Sequence, residues 1–177
     1  MRLALKCHPD TPCAAVVRIE VEVARGGQGV LALAFVVTGA IGDLVIPAPT
    51  APARTDGLWR RTCLEAFVRP ALGEGYFELN LSPSTRWAAY RFRGYREGMA
   101  PADIAAPRIE VARAADWFEL CAHLALPAPA DAPWRLGLCA VIEEASGAKS
   151  YWALAHPPGR PDFHHPDGFA AELPPPP

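Results

Sequence analysis

The chain has 177 residues, 51% hydrophobic and 20% charged, with a formal net charge of −2. That composition suits one folded domain burying roughly 70% of its unfolded surface, not a disordered segment. The slight acidity and absence of a basic cluster argue against a nucleic-acid partner, and apolar runs no longer than Val30–Val37 argue against a helical membrane span.

Met1–Cys7 reads as a first strand. Its start resembles the head of a secretion signal, but Lys6, His8 and Asp10 break the apolar run at once. The cysteines (Cys7, Cys13, Cys63, Cys121, Cys139) are odd in number and form no CxxC pair. Cys63, Cys121 and Cys139 fall inside strand-like runs and are expected to be reduced and buried, which predicts a cytoplasmic location.

Val17, Ile19, Val21 and Val23 alternate with Arg18, Glu20 and Glu22, a period-2 signal. The turn Arg25-Gly26-Gly27-Gln28-Gly29 leads into Val30–Val37 and predicts a hairpin. This glycine run enters a strand and lacks the Lys-Ser/Thr pair of a phosphate loop. Leu44-Val45-Ile46 reads as a short strand, and Pro47 to Gly57 as a Pro/Ala loop.

Three segments then follow closely: Cys63–Val68, Tyr76–Leu81 and Trp87–Phe92, separated by Pro70 with Gly73 and Gly75, and by Ser82-Pro83-Ser84. Leu64, Ala66 and Val68 oppose Cys63, Glu65 and Phe67; Phe77, Leu79 and Leu81 oppose Tyr76, Glu78 and Asn80. In the third segment Trp87, Ala89 and Arg91 are assigned to the mixed face, and Ala88, Tyr90 and Phe92 to the apolar one. Arg96 to Pro107 reads as a loop able to overhang the mixed face.

Arg108–Ala112, Asp116–Leu126, Trp134–Glu143 and Lys149–His156 are the next strands, with Gly168–Leu173 closing the chain. No amphipathic helix longer than two turns and no internal repeat is found. About ten short strands punctuated by Gly and Pro predict an all-β fold, an antiparallel β-sandwich over residues 1–173 with a Pro-rich tail at 174–177. Its core should include Val17, Ile19, Val21, Phe77, Leu79, Leu81, Leu120, Leu124, Leu138 and Ile142, each in a period-2 run.

Three stretches carry a family resemblance: WxxTCLEAFV from Trp59, YFELNLSPSxxWAAYRFxGYR from Tyr76, and SYWALAHPPGxPDFHHPDGF from Ser150. Together they resemble the bacterial DOMON-like domains, related to the type 9 carbohydrate-binding modules. The resemblance implies a β-sandwich that binds sugars or, in other branches, haem. It also implies that His164-His165-Pro166-Asp167-Gly168-Phe169 is a closing turn with a structural task.

Planar polar side chains that bond ring hydroxyls, set beside aromatic faces, are what sugar recognition requires. The ligand-binding set expected here is Glu65, Glu78, Asn80 and Arg91 on one face, with Trp87 or Trp152 packing on the ligand; Trp59 and Trp117 are further candidate platforms. A solvent-facing charged ladder with tryptophans plugging the interior is the competing reading. His156, Asp162, His164, His165 and Asp167 contain metal-ligating groups, but their spacing matches no standard zinc pattern. Glu65 with Glu78 would be the acid pair for glycoside hydrolysis, and Ser82 or Ser84 with His156 and Asp162 a triad without a nucleophile elbow. Haem would need an axial ligand such as Met99 or His123. The expectation is a non-enzymatic module for a small polar ligand, foremost a carbohydrate or sugar-derived metabolite, without cofactor. A metal- or haem-linked redox or hydrolytic protein and a protein-interaction subunit are the alternatives.

Overall fold

The computed structural model describes residues 1–71, 73–129 and 131–176. Among the described residues twelve strands form: β1 (Arg2–Cys7), β2 (Val16–Arg25), β3 (Val30–Gly39), β4 (Cys63–Pro70), β5 (Tyr76–Leu81), β6 (Trp87–Phe92), β7 (Ala100–Pro101), β8 (Arg108–Arg113), β9 (Trp117–Ala125), β10 (Trp134–Glu143), β11 (Lys149–Ala153) and β12 (Ala171–Leu173). All their pairings are antiparallel, in the order β7-β6-β5-β4-β10-β11-β1-β2-β3-β9-β8, with β12 against β10. No α-helix occurs among the described residues, only short 3-10 turns such as Leu58–Arg60 and Pro166–Gly168.

β1 is shared between two halves of this sheet. Arg2–Leu5 pair with β2, whereas Lys6 and Cys7 pair with β11. Both halves feed one core: Ile19, Val21, Leu33, Phe35 and Leu120 from one side join Leu64, Leu79, Leu81, Leu138 and Ile142 from the other. Period-2 alternation places these side chains on the facing surfaces, so the sheet curls around its own apolar face. Leu79 is 1% exposed, and Leu79→Ala should cost ~2–5 kcal/mol in urea unfolding. A loss below roughly 0.5 kcal/mol would mean the site collapses around the smaller side chain.

Several expectations need correction. Val17 is 77% exposed, because β2 carries a bulge between Val16 and Arg18 that puts Val16 inward instead. Phe77 is only partly buried, packed at the margin of the core. Leu44 makes an isolated bridge to Glu144, not a strand. Ala100–Pro101, inside the expected loop, pairs with β6. All five cysteines are unpaired; Cys63 and Cys139 are buried, but Cys121 is half-buried because it lies on the outer face of β9.

Gly29 shows why the first hairpin needs glycine. Its φ is +75°, and a Cβ there would stand 2.2 Å from the Leu126 carbonyl oxygen. Gly137 bears on the mixed face: it lies opposite Phe67, and a Cβ there would come within 3.1 Å of the Gly168 carbonyl oxygen. Its missing side chain lets the closing segment 156–169 settle onto the sheet.

Candidate functional site

The register of β4, β5 and β6 brings the site residues to one face. Glu65 pairs with Asn80, Phe67 with Glu78, Glu78 with Tyr90, and Tyr76 with Phe92. Directly paired residues share a face, so Glu65, Phe67, Tyr76, Glu78, Asn80, Tyr90 and Phe92 lie together opposite the core. Three connections rise around this face: the segment at Asp56–Arg60, the turn at Arg96–Met99, and the closing segment at Pro161–His164. They enclose a pocket of about 580 Å³ with Glu65, Glu78 and the aromatic side chains of Trp59, Phe67, Tyr90, Phe92, Tyr151 and Phe163 in its lining.

Two carboxylates sit at its base. Glu65 is 3% exposed, and its Oε1 is buried with no hydrogen-bond partner among the described residues. Burial pushes the Glu65 carboxyl well above the usual range, and the neighbouring Glu78 charge adds to the rise. Glu78 is also buried and raised by burial, against the Asn80 hydrogen bond and the Arg96 charge, both of which favour its ionised form. Asn80 Nδ2 donates to Glu78 Oε1 at 2.7 Å. The same two carboxylates, after burial itself, push the thiols of Cys63 and Cys139 up.

His164 closes one side. Its ring meets Phe67 and Phe92 edge-on, each at 5.1 Å, and Tyr76 at 5.9 Å. Burial, with the Arg96 charge assisting and Asp162 opposing, pushes its pKa down to about 4. Neutral His164 Nδ1 stands 2.7 Å from the Tyr76 hydroxyl, whose oxygen accepts from the Arg96 backbone N–H at 3.2 Å. In the tautomer whose Nδ1 accepts the hydroxyl proton, Nε2–H faces Glu78 Oε2 at 3.7 Å. Asp162 ties the two overhanging connections together, accepting from the Arg96 guanidinium at 2.7 Å and the Tyr95 hydroxyl at 2.5 Å. Burial opposes its charge, yet these bonds hold the Asp162 carboxyl below its ordinary value. Across the pocket Tyr90 donates its hydroxyl proton to Asp56 at 2.5 Å.

Of the expected ligand-binding set, Glu65 and Glu78 line the pocket, while Asn80 is buried beside them and orients Glu78. Trp87, Arg91 and Trp152 are on the opposite face. Leu81 pairs with Trp87 across the connection 82–86, which fixes Trp87 and Ala89 on the core side of β6 and gives Tyr90 and Phe92 to the site. Arg91 is exposed at the β6–β7 margin, opposite Phe77. Trp152 is in the core, its indole donating to Ser150 Oγ at 2.9 Å. Trp117 lies on β9, in the other half, and Trp59 alone of the tryptophans reaches the pocket rim, 50% exposed.

The histidine-rich stretch does not gather as a cage. His156 stands 2.8 Å from the Lys6 carbonyl oxygen and packs edge-on against His8, whereas Asp162 engages Arg96 and His165 Nδ1 accepts from the Asp167 N–H at 3.3 Å. Among the described residues no three His, Cys, Asp or Glu side chains converge so as to hold a metal ion. Met99 lies on the pocket lining and His123 on β9, so the two haem-ligand candidates belong to different halves of the sheet. The Ser82 and Ser84 hydroxyls bond each other at 2.8 Å inside the β5–β6 connection. No helix is long and apolar enough to cross a membrane among the described residues.

No protein-family model and no curated protein matches the sequence. The fold, however, has solved counterparts. A protein of Bacteroides uniformis ATCC 8492 proposed to bind carbohydrate aligns over 98% of this chain and 85% of its own, with a TM-score of 0.69 at 15% identity. A family 9 carbohydrate-binding module of Caldicellulosiruptor kristjanssonii, in complex with glucose, aligns over 96% of this chain and 83% of its own, with a TM-score of 0.50 at 10% identity. The cellotriose complex of a family 9 module from the same organism aligns over 85% and 75%, at 0.50 and 11%. This chain therefore has a fold like that of the type 9 carbohydrate-binding modules.

Proposed function

We propose that this chain is a DOMON-like β-sandwich of bacterial origin that binds a saccharide, without catalysing its cleavage, in the pocket over β4, β5 and β6. The observation that carries this reading is the pairing of a buried, incompletely hydrogen-bonded carboxylate, Glu65, with aromatic walls in a pocket of about 580 Å³. Ring hydroxyls would exchange hydrogen bonds with Glu65 and donate to Glu78, a bond to a charged group being worth ~1.5–3 kcal/mol when shielded from water. Phe92, Tyr90 and Trp59 would meet the C–H faces of the sugar. The glucose and cellotriose bound by the structural counterparts support this ligand class. The five unpaired thiols suit a reducing cytoplasm.

Isothermal calorimetry against a panel of mono- and disaccharides tests the proposal. Binding should be weak, since a monosaccharide has few atoms and its hydroxyls must be stripped of water. Trp59→Ala, at a half-exposed position, should weaken it roughly tenfold while leaving the unfolding midpoint unchanged. Affinity untouched by Trp59→Ala and by Phe92→Ala would place the ligand elsewhere.

A further inference from the structure

We infer that the preferred ligand is an amine-bearing sugar, its ammonium group held by Glu65 and Glu78 beneath the aromatic walls; this rests on the saccharide reading above. Two carboxylates share the base of one pocket, and neither arginine of its lining forms an ion pair with them, Arg96 acting on Glu78 only through its field. Arg96 is engaged by Asp162 at 2.7 Å, and Arg60 lies over Trp59 with its guanidinium carbon 5.3 Å from the ring centroid, at the rim. His164 is neutral and presents at most one N–H to Glu78. Asn80 serves one oxygen of Glu78, and Glu65 Oε1 is served by none of the described residues. A neutral sugar would supply hydroxyl donors but no charge. A protonated amine supplies three donors and the missing positive charge in one group. Phe67, Tyr90 and Phe92 line the same pocket, and a ring face turned to the ammonium would favour a cation further.

The proton balance gives this proposal its own signature. The groups facing Glu65 are Glu78 on β5, Cys63 on its own strand and Cys139 on β10, with Arg96 and His164 beyond Glu78 and the Tyr90–Asp56 pair on the far wall. Without a cation they leave Glu65 inclined to keep its proton. An ammonium group arriving beside it favours the carboxylate, so the proton leaves to the buffer as the ligand binds.

Glucosamine, glucose and N-acetylglucosamine should be compared by calorimetry at about pH 6, where the sugar amine already carries its proton, in buffers of differing ionisation enthalpy. The N-acetyl sugar keeps the substituent's position and removes its charge. Glucosamine should bind about tenfold more tightly than either, with proton release seen for it alone. In Glu65→Gln the ratio should fall to about one and the proton release vanish, with far-ultraviolet circular dichroism confirming the fold. Glu78→Gln, which keeps an acceptor for Asn80, should lower the ratio as well. Glucose or N-acetylglucosamine binding as tightly as glucosamine would overturn the amine inference and leave the saccharide reading standing. Failure of all three sugars, and of the wider panel, would overturn both.

Discussion

Glu65→Gln is expected to make the protein more stable at neutral and alkaline pH. The native carboxyl is raised well above 4.5 by burial and by Glu78, and Oε1 has no partner among the described residues. Between the unfolded value and the raised native one, the folded chain holds a proton that the unfolded chain has released. Stability therefore falls as pH rises across that window and is recovered as pH falls back toward 4.5. Glutamine keeps the shape and one acceptor but never ionises. The gain should be ~1–3 kcal/mol, the usual cost of a buried polar group left unsatisfied. Urea unfolding from roughly pH 5 to 9 should show a wild-type midpoint that declines with pH and a flatter one in the variant. A variant less stable than wild type at the alkaline end would show that the Glu65 charge is compensated. With Glu65 in the proposed binding role, such a cost to the fold would be the expected trade between function and stability.

His164 should set the opposite limb. Its native pKa, lowered to about 4, lies below the unfolded value of 6.5, so the unfolded chain takes up the proton first. Its contribution is intact above 6.5 and is lost as pH falls toward 4, by on the order of 3 kcal/mol in total. Glu65 and Glu78 change in the other sense over part of this range, which blunts the wild-type slope. His164→Asn keeps an acceptor for the Tyr76 hydroxyl and cannot titrate. Its midpoint should therefore hold or rise as pH falls from 6.5, where wild type levels or declines. Identical acid limbs in the two proteins would mean that His164 protonates in place, with its ring still between Phe67 and Phe92.

Much of the site was legible from alternation alone. Tyr76-Phe77-Glu78-Leu79-Asn80-Leu81 has apolar residues at every second position, and the acid and amide could only face the other way. Trp87-Ala88-Ala89-Tyr90-Arg91-Phe92 carries no such asymmetry, since both faces hold an aromatic ring. There the five residues 82–86 decide the phase, and a connection's conformation is not written in the strand it enters. The bulge that turns Val17 outward was hidden for the same reason: it depends on what β3 does opposite. Trp59, Arg96 and Phe163 reach the pocket from connections, where no periodicity betrays direction. The family resemblance implied that His164–Phe169 is a closing turn, but the contact of His164 with Tyr76 and Glu78 is purely tertiary.

The division of β1 between two halves of the sheet has a consequence during synthesis. β1 leaves the ribosome long before β11, yet Lys6 and Cys7 must wait for Ala153 and Trp152. β4 likewise waits for β10, which it pairs along Cys63–Pro70. The β2–β3 hairpin can form as soon as both strands are made, whereas the half that holds the pocket closes only after β10 and β11 have appeared. Such distant pairings make folding slow, and unpaired edges of β4 and β1 stand open meanwhile. Open edges of this kind invite collisions between chains, and low temperature during expression should raise the soluble yield.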